Sequence, residues 1–172
     1  VTASATNQVD GIYLASCTIQ TADGHIIMVG DAGDSAGTDD VGLTIKGTVQ
    51  TTGSGSGAYI TLTGTGGGGA NTYHNGVRGV DATIRTGSGT GAGPITIVGT
   101  GGGSASYEYG IHMTNSAAAS AVQTGSGAIN ITGTGSVSVA GASMGVIMDN
   151  GSYVTTESGI ITIIGNGKGA LN

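Results

Sequence analysis

Charge, aromatics, proline and cysteine are all scarce in this chain of 172 residues. Lys and Arg together number four against ten Asp and Glu, and the net charge is −6. Lys46 and Lys168 stand far apart, and Arg78 and Arg85 form no run, so the basic stripe that neutralises phosphates is missing and nucleic-acid binding is not expected. No apolar run approaches the length of a membrane span. Trp and Phe are absent and Pro occurs once. Cys17 is the single cysteine, which excludes an internal disulfide and reads as a small buried residue. The first residue is Val1 rather than Met, and no signal-peptide pattern precedes it, so a piece cut from a longer chain is expected.

What is abundant is glycine, with 37 residues. No three-residue period accompanies it, which excludes collagen. A flexible linker is excluded by the apolar residues, which recur in register, and by a mean hydropathy of +0.19 with only 8% charged residues. The register is that of a long repeat. Aligning GHIIMVGDAG, YITLTGTGGG, GPITIVGTGG, GAINITGTGS and GIITIIGNGK gives a column of Ile26, Ile60, Ile95, Ile129 and Ile161. Four residues later stands a column of Gly30, Gly64, Gly99, Gly133 and Gly165. A period of 32 to 35 residues is the mark of a solenoid.

Gly interrupts nearly every window of eight residues, which removes helices. The one short helical turn the pattern allows is Ser116 to Ala121. Apolar residues alternate with period two instead, as in strands. Each repeat holds three such runs. The first follows Gly11, Gly42, Gly76, Gly110 or Gly145 and points Ile12 and Leu14, Leu43 and Ile45, Val77, Ile111 and Met113, and Val146 and Met148 inward, with a gap at Gly79. The second gives Ile19, Val49, Ile84, Val122 and Val154. It is followed by a threonine column of Thr21, Thr51, Thr86, Thr124 and Thr156, whose hydroxyls are expected to bond up the ladder. The third carries the Ile column with Met28, Leu62, Ile97, Ile131 and Ile163. Three stacked strands per repeat with glycine corners predict one all-β domain over residues 1–172, a three-sided parallel β-helix of about five coils, whose right hand is implied by the resemblance given below. A lone coil cannot stand, so the ends want more coils, a cap or another copy. The segment Val1–Asp10 has few apolar residues with which to cap the first coil.

Motifs that would carry chemistry are few. Gly64–Gly69 matches G-x-G-x-x-G, but the match arises from repetition and no helix follows, so no dinucleotide site is expected. Asp31, Asp34, Asp39 and Asp40 fall within ten residues and offer a local Ca²⁺ site. The competing reading is a solvated acidic loop, since the nonapeptide of calcium β-rolls is missing. His25, His74 and His112 occupy unrelated repeat positions and read as surface residues rather than a ligand set. Asp81, Glu108, Asp149 and Glu157 could supply the facing carboxylates of a glycosidase, but the Trp and Phe platforms of a sugar cleft are lacking, and no catalytic residue is expected. Tyr59, Tyr73, Tyr107, Tyr109 and Tyr153 read as exposed or corner residues. Tyr73 and Tyr107 fall in equivalent corners and make the best adhesive patch. Asn130-Ile-Thr132 and Asn150-Gly-Ser152 fit the glycosylation sequon.

TGSGAINITGTG at Thr124–Gly135 and TGSGTGAGPITIVGTGGG at Thr86–Gly103 resemble the β-strand repeats of very large bacterial surface proteins, the filamentous-haemagglutinin-like and autotransporter-passenger-like adhesins. The resemblance covers essentially the whole chain. It implies an extracellular or cell-surface stalk or adhesin, elongated and right-handed, with no catalytic residue or cofactor to carry over. Its partners would be neighbouring coils or copies end to end, and a host or partner-cell surface or carbohydrate. The other expectation is a surface-binding module for ice, mineral or carbohydrate. It would use an outward face of Thr61, Thr63, Thr96, Asn130, Thr132 and Thr162, interrupted by Ile27, Val29, Val98 and Ile164. A thermal-hysteresis assay separates the ice version from a stalk.

Overall fold

The computed structural model describes residues 8–35, 37–53, 57–69, 71–137 and 141–168. Most of the segment Val1–Asp10, weighed above as a poor cap for the first coil, lies outside them, at residues 1–7. The described chain is all β. Its elements are β1 Ile12–Thr21, β2 Ile26–Asp31, β3 Leu43–Thr51, β4 Ile60–Thr65, β5 Val77–Val80, β6 Thr83–Arg85, β7 Ile95–Thr100, β8 Ile111–Thr114, β9 Ala121–Thr124, β10 Ile129–Thr134, β11 Val146–Met148, β12 Tyr153–Thr156 and β13 Ile161–Asn166. The Ser116–Ala121 segment forms no helix.

Every strand pairs in parallel with its counterpart one repeat away, as a β-solenoid requires. The third-run strands stack in the order β13-β10-β7-β4-β2, so four full turns separate the first from the last. Their register aligns Ile26, Ile60, Ile95, Ile129 and Ile161 without a slip. The other eight strands form one network. In the first two coils the first and second runs are continuous, in β1 and β3. From the third coil they separate, β5 and β6 both pairing with β3. β1 turns through a bulge between Ala15 and Cys17, with Ser16 at a positive φ of 50°.

The core is the set of inward columns. Leu43, Ile45, Ile60, Leu62, Ile95, Ile97, Ile111, Ile129 and Ile131 are fully buried. Met113 fills the gap at Gly79, since a Cβ there would meet Met113 Cε at 2.7 Å. The end coils differ from the expectation of uniform inward burial. Ile161 and Ile163 occupy core columns yet are 41% and 47% exposed, and Ile12, Leu14, Val146 and Met148 are only partly buried. A column residue is covered from both sides along the axis, and an end coil supplies one side.

The repeated glycines are there for close approach. A Cβ on Gly30, Gly64, Gly99 or Gly133 would collide with the carbonyl of Gly42, Gly76, Gly110 or Gly145, and none of these eight has a positive φ. The threonine column is only partly a ladder. Thr86 Oγ1 lies 2.7 Å from Thr124 Oγ1, and the two reach the Gly93 carbonyl at 2.8 and 3.2 Å. Thr156 donates to the Gly125 carbonyl at 2.8 Å, Thr21 accepts from the Gly24 amide, and Thr51 Oγ1 has no partner.

Candidate functional site

The corner between the third strand of one coil and the first strand of the next carries most of the chain's unusual side chains. Two residues before each coil-opening glycine stand Asp40, His74, Glu108 and Ser143, ahead of Gly42, Gly76, Gly110 and Gly145. The first three are fully buried and Ser143 nearly so. They stack as one polar column parallel to the core.

Asp40 is the best satisfied. Its carboxylate accepts from the Val9 amide at 2.8 Å, the Ser35 amide at 3.1 Å and the Ser35 hydroxyl at 2.6 Å. The Asp40 amide donates to His74 Nδ1 at 3.3 Å, and the same nitrogen lies 3.5 Å from Asp40 Oδ2. The His74 amide donates to Glu108 Oε2 at 2.7 Å. His74 Nε2, Glu108 Oε1 and Ser143 Oγ have no protein partner. Burial pushes the Glu108 carboxyl up to about 7, against the lowering effect of the His74 amide. Glycine backbone lies flush over the column. A Cβ on Gly69 would meet His74 Nε2 at 2.9 Å, and one on Gly103 would meet His74 Cδ2 at 2.9 Å and Glu108 Cδ at 3.3 Å. Under that cover His74 and Glu108 have no solvent exposure.

The next column repeats another device. Asp10 Oδ1 accepts the Val41 amide at 3.1 Å, and Asn75 Oδ1 accepts the Tyr109 amide at 3.0 Å, each tying one coil to the next.

The column before the buried one faces solvent. Asp39, Tyr73 and Tyr107 have positive φ values of 65°, 69° and 66°. The Tyr73 and Tyr107 rings stack with centroids 5.4 Å apart and planes 12° from parallel. Tyr109 meets Tyr107 edge-on at 6.3 Å, and His112 meets Tyr109 at 5.3 Å. His112 Nε2 lies 3.3 Å from Asp149 Oδ2, and Arg78 Nη1 donates to Asp39 Oδ1 at 2.9 Å. Burial lowers the His112 pKa, with Asp149 opposing, and raises that of Tyr109, with Tyr73, Tyr107 and Asp149 adding to the effect.

Two sequence expectations, for the histidines and for Tyr109, are corrected here. His74 is fully buried and His112 largely so, leaving only His25 as a surface histidine, stacked on Tyr59 at 3.8 Å. Tyr109 is 6% exposed rather than a surface residue. The four aspartates of the first corner are divided among different partners: Asp39 with Arg78, Asp40 with Ser35 and Val9, Asp34 with the Gly68 amide, and Asp31 at the exposed end of β2. No group of three or more His, Cys, Asp or Glu among the described residues is arranged to hold a metal ion. The carboxylates considered for glycoside chemistry are likewise dispersed. Asp81 accepts four hydrogen bonds from Ser116, Ala117 and Ala118, Glu108 is buried and Asp149 pairs with His112. Glu157 lines a separate open cleft of about 550 Å³ beside Thr51, Arg85, Thr86, Thr124 and Thr156. The buried column had one signal in the sequence, its fixed place two residues ahead of Gly42, Gly76, Gly110 and Gly145.

No helix among the described residues is long and apolar enough to cross a membrane. No protein-family model matches the chain, and neither a curated protein nor a solved structure matches it.

Proposed function

We propose that the chain is a non-catalytic structural or adhesive segment of an extracellular or cell-surface repeat protein or filament, joined end to end with further coils or with copies of itself. The carrying observation is the state of the core columns at the last coil. Ile129 and Ile131 are fully buried, while Ile161 and Ile163, one coil on in the same register, are 41% and 47% exposed. An incoming parallel strand would cover them and pair the edge of β13 that no described strand occupies. That edge carries no charge from Ile161 to Asn166. Burial of the ionisable column under glycine backbone supports a mechanical rather than a chemical role for the best-developed polar cluster.

Size-exclusion chromatography with light scattering tests the reading. Mass is expected to rise with concentration, and Ile163→Lys to shift the chain toward monomer. A wild-type chain that stays monomeric at millimolar concentration would overturn end-to-end association.

One observation favours a surface-binding module as a second reading. Thr61, Thr96, Asn130 and Thr162 align in one unslipped row on the outward face of the five-stranded sheet, beside a row of Val29, Thr63, Val98, Thr132 and Ile164. Such a face is regular and uncharged, as a flat ice, mineral or carbohydrate surface would require.

A further inference from the structure

We propose that the third-to-first-strand corner holds a binding site for neutral glycans, with the stacked Tyr73 and Tyr107 rings as its platform. This deepens the adhesive reading above and rests on it. Three observations converge.

The first is conformational. Tyr73 and Tyr107 sit at φ values of 69° and 66°, in the left-handed region that disfavours bulky side chains. Gly or Asn would take this backbone more readily, and the equivalent residue one coil earlier is Asp39. Both rings nevertheless remain in solvent, 40% and 43% exposed. Burial of each residue is only partial, so it offsets part of the backbone strain and leaves aromatic surface free for a ligand.

The second is shape. The rings stack along the solenoid axis, and the residues that continue their column are Asp39 on one side and Ala142 on the other. Both are too short to cover a phenol ring. An aromatic face open beside a polar margin suits the C–H face of a pyranose, whose hydroxyls then point to the rim.

The third is the rim itself. The Asp39 and Asp149 carboxylates are 34% and 39% exposed, each held by one partner, Arg78 and His112. The Asp39 carboxylate so placed accepts hydroxyl hydrogens, whereas Asp149 Oδ1 is buried and Asp149 adds charge to the rim. With two acids against one arginine, on a chain of net charge −6, the rim repels sulfated and uronate sugars, which selects uncharged ones.

The test uses the whole chain and two panels of soluble hexasaccharides. One is neutral, built of β-linked glucose, β-linked N-acetylglucosamine, galactose or mannose. The other is built of uronate or sulfated units. Binding is read by titration calorimetry and by tyrosine fluorescence. Saturable binding to at least one neutral sugar is expected, with weaker binding to the anionic panel. Tyr107→Gly and Tyr73→Gly suit the backbone, so both are expected to keep the β-type circular dichroism and the self-association while losing about tenfold or more in affinity. Tyr153→Ala, which alters an exposed tyrosine of β12 away from this corner, is expected to bind as the wild type does. The proposal is overturned if no neutral sugar binds by about 10 mM, if the Tyr73→Gly, Tyr107→Gly double variant binds unchanged, or if the anionic panel binds as well. Because self-association is measured on the same samples, losing the glycan site leaves the stacking reading separately decided.

Discussion

Ile95 is the central residue of its column, fully buried and flanked in register by Ile60 and Ile129. Ile95→Asp removes a branched apolar side chain, at about 2–5 kcal/mol for the lost burial and the space left behind. It also leaves a carboxyl without a partner, because no Lys or Arg is buried among the described residues. Even protonated, that group adds about 1–3 kcal/mol. The sum of about 3–8 kcal/mol rivals the whole stability of an ordinary domain, about 5–15 kcal/mol. The comparison is Thr61→Asp, which sits on the outward side of the neighbouring strand and is expected to cost under about 1 kcal/mol. Urea titration followed by far-ultraviolet circular dichroism is the assay. Ile95→Asp is expected to lose the cooperative transition, while Thr61→Asp keeps its midpoint. Ile95→Val, at about 0.5–1.5 kcal/mol, gives a readable midpoint shift if the Asp variant does not fold. Equal losses in Ile95→Asp and Thr61→Asp would refute the inward-outward alternation.

Two further expectations concern carboxylates held in opposite ways. The Glu108 pKa is raised to about 7 in the folded chain by burial. Between the unfolded value near 4.3 and about 7, the unfolded state therefore releases its proton first, and stability falls as pH rises, by on the order of 2–3 kcal/mol. Glu108→Gln keeps an acceptor for the His74 amide and is expected to flatten this slope in urea midpoints measured from pH 4 to 8; an unchanged slope counts against a buried, protonated Glu108. Asp81 is lowered well below the usual carboxylate range by the Ala117 amide first, then the Ser116 hydroxyl and the Ala118 and Ser116 amides. Its contribution is present above the unfolded value near 3.9 and is lost as pH falls below it, so the protection of amides 116–118 relative to an unfolded chain is expected to fall toward pH 2 in the wild type and at neutral pH in Asp81→Ala; equal protection in both proteins at pH 7 would rule the clamp out.

The strands were legible in the sequence because both of their periods are written in it. Alternation places Ile60 and Leu62 inward, and the long repeat aligns them with Ile95 and Ile97. The corners have neither period. His74 and Glu108 look like solvent-facing loop residues until the glycine backbone of residues 66–69 and 101–103 is laid over them, and that cover comes from other stretches of chain. Tyr109 follows Tyr107 by two residues, yet only Tyr107 is exposed, a difference set by the turn at positive φ. Uniform burial along a column also fails at Ile161, which has a described column neighbour, Ile129, on one side only.

The unslipped register between coils has a mechanical consequence. The backbone hydrogen bonds that join neighbouring coils run along the long axis, from β2 through β4, β7 and β10 to β13. Tension between the two ends pulls along these bonds and concentrates at the outermost coil, which peels as a zipper opens, rather than loading every bond together in shear. Successive coils are 34, 35, 34 and 32 residues long in the Ile column. At about 3.4 Å per extended residue, each released coil adds roughly 110 Å of contour where it had occupied about 4.8 Å. A tether built this way yields in steps of nearly equal length and absorbs work over many times its resting extension.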